Sequence, residues 1–99
     1  DTAVQDAGAR LVVLDFTAKW CGVCKKIEPF YTQLSIDPKV VETGAQLYVI
    51  DVDQSEELTS TFGASSLPLF VMLKNGKKVD TVVGAQNTAL RKKILKHAA

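Results

Sequence analysis

Two cysteines, Cys21 and Cys24, are the residues whose type and spacing most directly suggest chemistry. They are the only cysteines among 99 residues, and they lie three positions apart. A disulfide between them would close a very short loop and would barely restrict the unfolded chain, so stabilisation alone explains the pair poorly. The spacing instead predicts a dithiol that exchanges electrons with disulfides in other molecules.

The position of the pair predicts a different role for each thiol. The cysteines lie where a buried aliphatic run ends and a helical pattern begins. The unpaired amides and positive dipole at a helix N-terminus favour a thiolate, which is the nucleophilic form. We therefore expect Cys21 to be the exposed, attacking thiolate. Cys24, one turn inside the helix, is expected to be more enclosed and to resolve the mixed disulfide. Lys25 and Lys26 either tune the thiols or are ordinary exposed helix cations.

Half of a zinc site is the competing interpretation of two cysteines at this spacing. Such a site needs two further ligands from cysteine, histidine or carboxylate side chains. The chain has no third cysteine, and its single histidine, His97, lies near the C-terminus. We therefore expect no metal at the pair.

The elements that must position these residues follow an α/β pattern. Apolar periodicity and turn residues predict strands over 11–17, 46–52, 69–73 and 77–83, and helices over 1–8, 21–36, 55–63 and 89–97. Asn75 and Gly76 predict a hairpin between the last two strands. The earlier strands, linked by helices, are expected to be parallel. The sequence thus predicts one domain over 1–99, with a central mixed sheet and helices on both faces.

Composition excludes several other classes of protein. Hydrophobic residues make up 46% of the chain and charged residues 23%, which excludes a disordered or collagen-like chain. No apolar run approaches the roughly 20 residues of a membrane span, and no segment resembles a signal peptide. Residues 1–73 carry 5 basic and 10 acidic side chains, whereas 74–99 carry 7 and 1. We interpret the late cations Arg91, Lys92, Lys93 and Lys96 as a solvated helix face, and expect neither nucleic-acid nor membrane binding.

Several segments together resemble the thioredoxin family. They are VVLDFTAKWCGVCKKIEPF over 12–30, Leu67-Pro68 ahead of a strand, Lys74-Asn75-Gly76 and Val83-Gly84-Ala85. The resemblance covers almost the whole chain and implies the thioredoxin fold and reduction of protein disulfides. It further implies that electrons come from NADPH through thioredoxin reductase, and that this protein itself binds no cofactor. The strand that usually begins this fold is expected to be missing or trimmed.

The resemblance also implies roles for residues around the cysteines. Asp15 interrupts an aliphatic strand, where a buried carboxylate is costly unless it is paired or functional. Its position implies a raised pKa and a role as proton acceptor for Cys24, through water; an Asp15 that merely faces a water-filled pocket is the structural alternative. Pro68 is implied to be cis. The implied substrate patch comprises Trp20, Gly22, Val23, Leu67, Pro68, Val83, Gly84 and Ala85, although Trp20 and Val83 could instead pack in the core.

Two departures from the family pattern bear on the chemistry. Val23 replaces the usual proline, and its additional N–H is expected to stabilise the thiolate and make the couple more oxidising. Val49 stands where many thioredoxins place a lysine near the buried aspartate, so Asp15 is expected to be easier to protonate. A roughly four-residue insertion lies around 37–44.

The function predicted from these features is that of a protein disulfide reductase. The alternatives are a more oxidising thiol oxidase or isomerase, which Val23 favours, and a docking subunit that uses the fold without the thiols. Expected partners are proteins that contain disulfides, and thioredoxin reductase. We expect a monomer in the cytoplasm, or in an organelle if a targeting segment has been removed ahead of Asp1.

Overall fold

The computed structural model describes residues 8–99. Its strands are β1 (Val12–Thr17), β2 (Gln46–Asp51), β3 (Leu69–Lys74) and β4 (Lys77–Val83). Its helices are α1 (Gly22–Ile36), α2 (Pro38–Thr43), α3 (Glu56–Phe62) and α4 (Asn87–Ala98). The helix predicted over 1–8 lies, apart from Gly8, outside the described residues. The other predicted elements are present within one or two residues of their expected bounds.

The four strands form one mixed sheet in the order β2-β1-β3-β4. Strand β1 is parallel to β2 and antiparallel to β3, and β3 is antiparallel to β4. Asn75 and Gly76 both have positive φ, at 55° and 76°, which two-residue hairpin turns require. The predicted hairpin is thereby confirmed.

The direction of β3 corrects one prediction. We expected strands linked by helices to be parallel, which holds for β1 and β2 but is wrong for β3. Helix α3 has only seven residues. After it, the chain returns to the end of the sheet from which it left, where Leu67 packs against Ala18 and Cys21. Strand β3 therefore starts at the end where β1 finishes, and must run the opposite way.

Alternating side chains of β1 serve two cores, one on each face of the sheet. Val13 packs with residues of α1, α2 and α4, including Tyr31, Val40 and Leu90. Phe16, on the opposite face, packs in a cluster that includes residues of α3. Strand β1 is buried from Val12 to Phe16, as expected of a central strand covered on both sides. The predicted mixed sheet with helices on both faces is confirmed.

The insertion around 37–44, predicted only as a connection, contains helix α2. The Asp37 side chain accepts a hydrogen bond from the Lys39 amide at 2.9 Å, Pro38 occupies the first turn, and Gly44 closes the helix in the left-handed conformation. These are ordinary start and stop signals, so the sequence contained the information. The helix was missed because only six residues separate the signals.

The cations of α4 are not simply a solvated face. Arg91 forms an ion pair with Asp37 at 3.2 Å, and Lys93 forms one with Asp80 at 3.1 Å. Asp37 is the N-cap of α2 and Asp80 lies in β4, so these contacts link α4 to the start of α2 and to β4. The helix also begins at Asn87, earlier than predicted, and no side chain caps it.

Within residues 8–99, no helix is long and apolar enough to cross a membrane.

Candidate active site

Cys21 occupies the N-cap position of α1, directly after the loop that follows β1. Its backbone is extended, with φ −89° and ψ 106°, and its Sγ accepts a hydrogen bond from the Cys24 amide at 3.2 Å. A side chain at this position ordinarily accepts from the second or third helical amide, and here a sulfur does so. The sequence therefore places a nucleophilic atom where the helix N-terminus stabilises negative charge.

Cys21 and Cys24 are joined by a disulfide, with their Cα atoms 5.3 Å apart. Cys21 is 8% exposed and Cys24 is 3% exposed. The expectation that Cys24 is the more enclosed thiol is correct. The expectation that Cys21 is openly exposed is wrong for this disulfide form, because Ala18, Leu67 and Val52 pack around the pair.

Trp20 lies on the surface beside the cysteines and is 69% exposed. Its indole Nε1 donates a hydrogen bond to Asp53 Oδ2 at 2.9 Å. Val83 is also exposed, so the alternative that Trp20 and Val83 are core residues is wrong. The sequence analysis did not identify Asp53, which follows β2 by two residues; its only signal was a carboxylate at the end of a strand parallel to β1.

Asp15 is the one buried charged residue among 8–99 and is only 5% exposed. Its Oδ1 has no hydrogen-bond partner within that range. Burial, together with the negative charge of Glu28, raises the pKa of Asp15 to about 7. The residue opposite Asp15 on β2 is Val49, which is exposed and carries no compensating charge. Sequence reasoning missed Glu28, since nothing in the helical pattern shows that it acts on Asp15.

The segments 67–68 and 83–85 are tied together at the same end of the sheet. The Leu67–Pro68 peptide bond is cis, as the resemblance implied. The Gly84 amide donates to the Pro68 carbonyl at 2.9 Å, and Gly84 has a φ of 86° that favours glycine. Leu67 is half-buried against the cysteine pair, whereas Ala85 is exposed. The remaining patch residues, Gly22 and Val23, are exposed in the first turn of α1.

Metal-ligating side chains do not cluster in the part of the chain that the structure describes. Residues 8–99 contain no group of three or more histidine, cysteine or acidic side chains able to hold an ion. His97, proposed as the only histidine that zinc could use, instead contacts Asp80 at 2.9 Å.

A disulfide at the start of a helix that follows a central strand defines a class of protein, the thiol–disulfide oxidoreductases. The family model for thioredoxin matches residues 1–96. The chain belongs to the thioredoxin family, whose members are disulfide reductases.

Relatives and solved structures agree with this assignment. The chain is 41% identical to thioredoxin of Malassezia sympodialis over 92 residues, covering 93% of this chain and 86% of that protein. It is 43% identical to thioredoxin 1 of Plasmodium falciparum over 89 residues, covering 90% and 82%. The crystal structure of the Malassezia sympodialis protein superposes with a TM-score of 0.86 at 40% identity, covering 94% and 81%. The X-ray structure of Fasciola hepatica thioredoxin gives 0.85 at 35% identity, covering 97% and 88%. The protein is a thiol–disulfide oxidoreductase, and the oxidase and docking-subunit alternatives are not favoured.

Proposed function

We propose that Cys21 is the attacking nucleophile in reduction of protein disulfides. The observation that carries this assignment is the hydrogen bond from the Cys24 amide to Cys21 Sγ at the N-cap of α1. In the dithiol form, the same amide stabilises a Cys21 thiolate. The thiolate attacks one sulfur of a substrate disulfide, forms a mixed disulfide with it, and releases the other substrate sulfur as a thiolate, which takes up a proton.

Cys24 then resolves the mixed disulfide, with Asp15 as the proton acceptor. The Cys24 thiol loses its proton to the Asp15 carboxylate, through water, and its sulfur attacks Cys21 Sγ. The second substrate sulfur leaves, so two electrons pass from the dithiol to the substrate and the Cys21–Cys24 disulfide remains. A pKa of about 7 suits Asp15 to this role, because the group is partly ionised at neutral pH and binds a proton readily.

The substrate surface in this proposal surrounds the cysteine pair. It comprises Trp20, Gly22, Val23, Leu67, Pro68, Val83, Gly84 and Ala85. Its support is the exposure of apolar Trp20, Val23 and Val83 at the end of the sheet that also holds Cys21. Apolar surface beside a nucleophile favours docking of loosely ordered, extended protein segments.

Membership of the thioredoxin family supports a proposal for the electron source and the setting. We propose that thioredoxin reductase, using NADPH, returns the Cys21–Cys24 disulfide to the dithiol form. The domain is proposed to extend over 1–99 and to act as a monomer in the cytoplasm, where thiols are kept reduced.

Dithiothreitol-coupled reduction of insulin tests these roles. We expect Cys21→Ser to abolish activity. Cys24→Ser, reduced beforehand and mixed with insulin after removal of dithiothreitol, is expected to accumulate the mixed disulfide without turnover. Asp15→Asn is expected to slow resolution more than formation of the mixed disulfide, which stopped-flow measurements separate.

Two results would contradict the assignments independently. Activity that survives loss of Cys21 overturns its role as nucleophile. Equal slowing of both steps in Asp15→Asn overturns the proton-acceptor role while leaving the cysteine assignments intact.

A further inference from the structure

A groove between α1 and α4 adjoins the proposed substrate surface. It is an open surface groove of about 670 Å³, lined by Lys26 and Ile27 of α1, by Ala85, and by residues 86–89 and Lys92. Ala85 belongs both to the loop proposed to contact substrate and to the wall of this groove. A segment held beside Cys21 and crossing that loop would therefore continue into the groove.

The groove is cationic. Lys26 and Lys92 face it from different helices, both are exposed, and neither has an ion-pair partner within residues 8–99. No acidic side chain lines the groove. Glu28, the nearest acid along α1, lines a separate depression with Lys25.

The opposite side of the cysteine pair has the opposite charge. The carboxyl ends of the parallel strands β1 and β2 lie at the same end of the sheet, and β4 also finishes there. Because β2 and β4 are the two edges, Asp51 and Asp53 flank the pair on one side and Ala85 on the other. The surface is thus acidic on the side of Trp20, where Asp51 and Asp53 lie, and basic on the side of Ala85, where Lys26 and Lys92 line the groove.

We propose that the groove between Lys26 and Lys92 is a specificity subsite for an acidic residue of the substrate. This inference rests on the proposed function and adds a preference to it. Lys26 lies five residues after Cys21, about 7.5 Å along the helix axis. An extended segment advances about 3.3 Å per residue, so the preferred acidic residue lies within roughly four residues of the reacting cysteine.

The expected selectivity is moderate, because both lysines are exposed. A single exposed ion pair alters binding about 1.5-fold to 5-fold, so two together predict roughly 2-fold to 25-fold. Exposed charges are screened by salt, and the preference is expected to shrink at high ionic strength.

Three peptides that share the same disulfide test the subsite. Each carries a pair of glutamate, glutamine or lysine residues within roughly four residues of the reacting cysteine. The readout is the second-order rate constant for reduction by the dithiol protein, expressed as the ratio of glutamate to glutamine peptide. We expect a ratio of about 2 to 25 for the unaltered protein and a ratio near 1 for the double variant Lys26→Gln, Lys92→Gln. The double variant Lys26→Glu, Lys92→Glu is expected to reverse the preference and favour the lysine peptide. Lys96→Gln, an exposed cation elsewhere on α4, is the matched control and should keep the original ratio.

The outcomes separate this inference from the function on which it rests. Equal rates for all three peptides, or a ratio that the double variant leaves unchanged, overturn the subsite but leave the reductase intact. A fall of the ratio in Lys96→Gln as large as in the double variant also overturns it, because the preference would then reflect net charge. Failure to reduce any peptide overturns the proposed function and the subsite together.

Discussion

At the scale of single residues, the backbone amides at the start of α1 determine how well the Cys21 sulfur tolerates negative charge. The Cys24 amide already donates to Cys21 Sγ. Val23 lies at the second helical position and retains an N–H that a proline would lack. Its side chain is 47% exposed, so exchanging it leaves the core unaltered. We therefore expect the choice of residue here to act on the redox couple and not on packing.

Replacing Val23 by proline is expected to lower the reduction potential. Loss of one amide near the thiolate removes stabilisation from the reduced form, and a hydrogen bond to a charged group corresponds to roughly 30 to 60 mV for a two-electron couple. Equilibration with glutathione redox buffers measures the potential. Val23→Ala keeps the amide and is the control that should show little change. A potential for Val23→Pro equal to or above that of the unaltered protein would contradict the argument.

At the scale of elements, the short helix α2 shows how a local backbone requirement shapes an insertion. Gly44 ends the helix with φ at 79°, and its amide donates to the Val41 carbonyl at 3.0 Å. A Cβ at this position would meet Arg10 Cδ at 3.1 Å. Both the dihedral and the neighbour therefore favour glycine, which lets the chain turn directly from α2 into β2.

Gly44→Ala is expected to reduce the free energy of unfolding by about 1 to 2 kcal/mol, because a left-handed conformation is strained for residues with a Cβ. Gly22→Ala is the matched control. No atom lies within 4 Å of a Cβ built at Gly22, and its φ is not positive, so alanine in this first helical turn should maintain or raise stability. Urea denaturation of both variants checks the contrast. Equal destabilisation by the two substitutions would show that backbone conformation is not the cause.

At the scale of the whole molecule, two aspartates couple stability to pH in opposite directions. Asp15, in the interior, has its pKa raised to about 7 by burial and by Glu28. Asp80, which joins β4 to α4, has its pKa lowered to about 2 by hydrogen bonds from His97 and Lys93. An unfolded aspartate titrates near about 4. Between about pH 4 and 7, Asp15 is protonated in the folded state but ionised in the unfolded state. Between about pH 2 and 4, Asp80 is ionised in the folded state but protonated in the unfolded state.

The free energy of unfolding is therefore expected to fall as pH rises from 4 to 7 and to fall again as pH drops from 4 to 2. The Asp15 contribution is on the order of 4 kcal/mol, and that of the partly exposed Asp80 about 1 kcal/mol after solvent screening. Asp15→Asn should raise the melting temperature of the disulfide form at pH 8 by about 10 °C or more and leave it nearly unchanged at pH 4.

Asp80→Asn provides the contrasting variant. It should lower the melting temperature at pH 7, with the difference shrinking as pH falls from 4 toward 2, where the carboxylate is protonated in the unfolded state and about half protonated in the folded state. Calorimetry across pH 2 to 8 follows both variants. A pH profile of Asp15→Asn that runs parallel to that of the unaltered protein would contradict a raised pKa at that position.

Much of the fold could be predicted because each element carries its own local signal. The aliphatic run before Cys21, the three-and-four spacing after it, and Asn75-Gly76 are short-range patterns that act through backbone conformation and burial. No local signal predicted the direction of β3, because that direction depends on the end of the sheet to which the chain returns after α3. Helix α2 had proper signals at both ends but was too short for its periodicity to register.

The sequence by itself determined the disulfide chemistry of this protein: two cysteines three positions apart at a strand-to-helix junction, within the combined motifs of a thioredoxin. Only the tertiary structure decided which charged groups surround the cysteine pair. Burial and Glu28 raise the pKa of Asp15, Asp53 accepts a hydrogen bond from the Trp20 indole, and Lys26 and Lys92 line the same groove. Each of these relations joins residues from separate elements. Electrostatic effects depend on distance and burial in space, which spacing along the chain does not reveal.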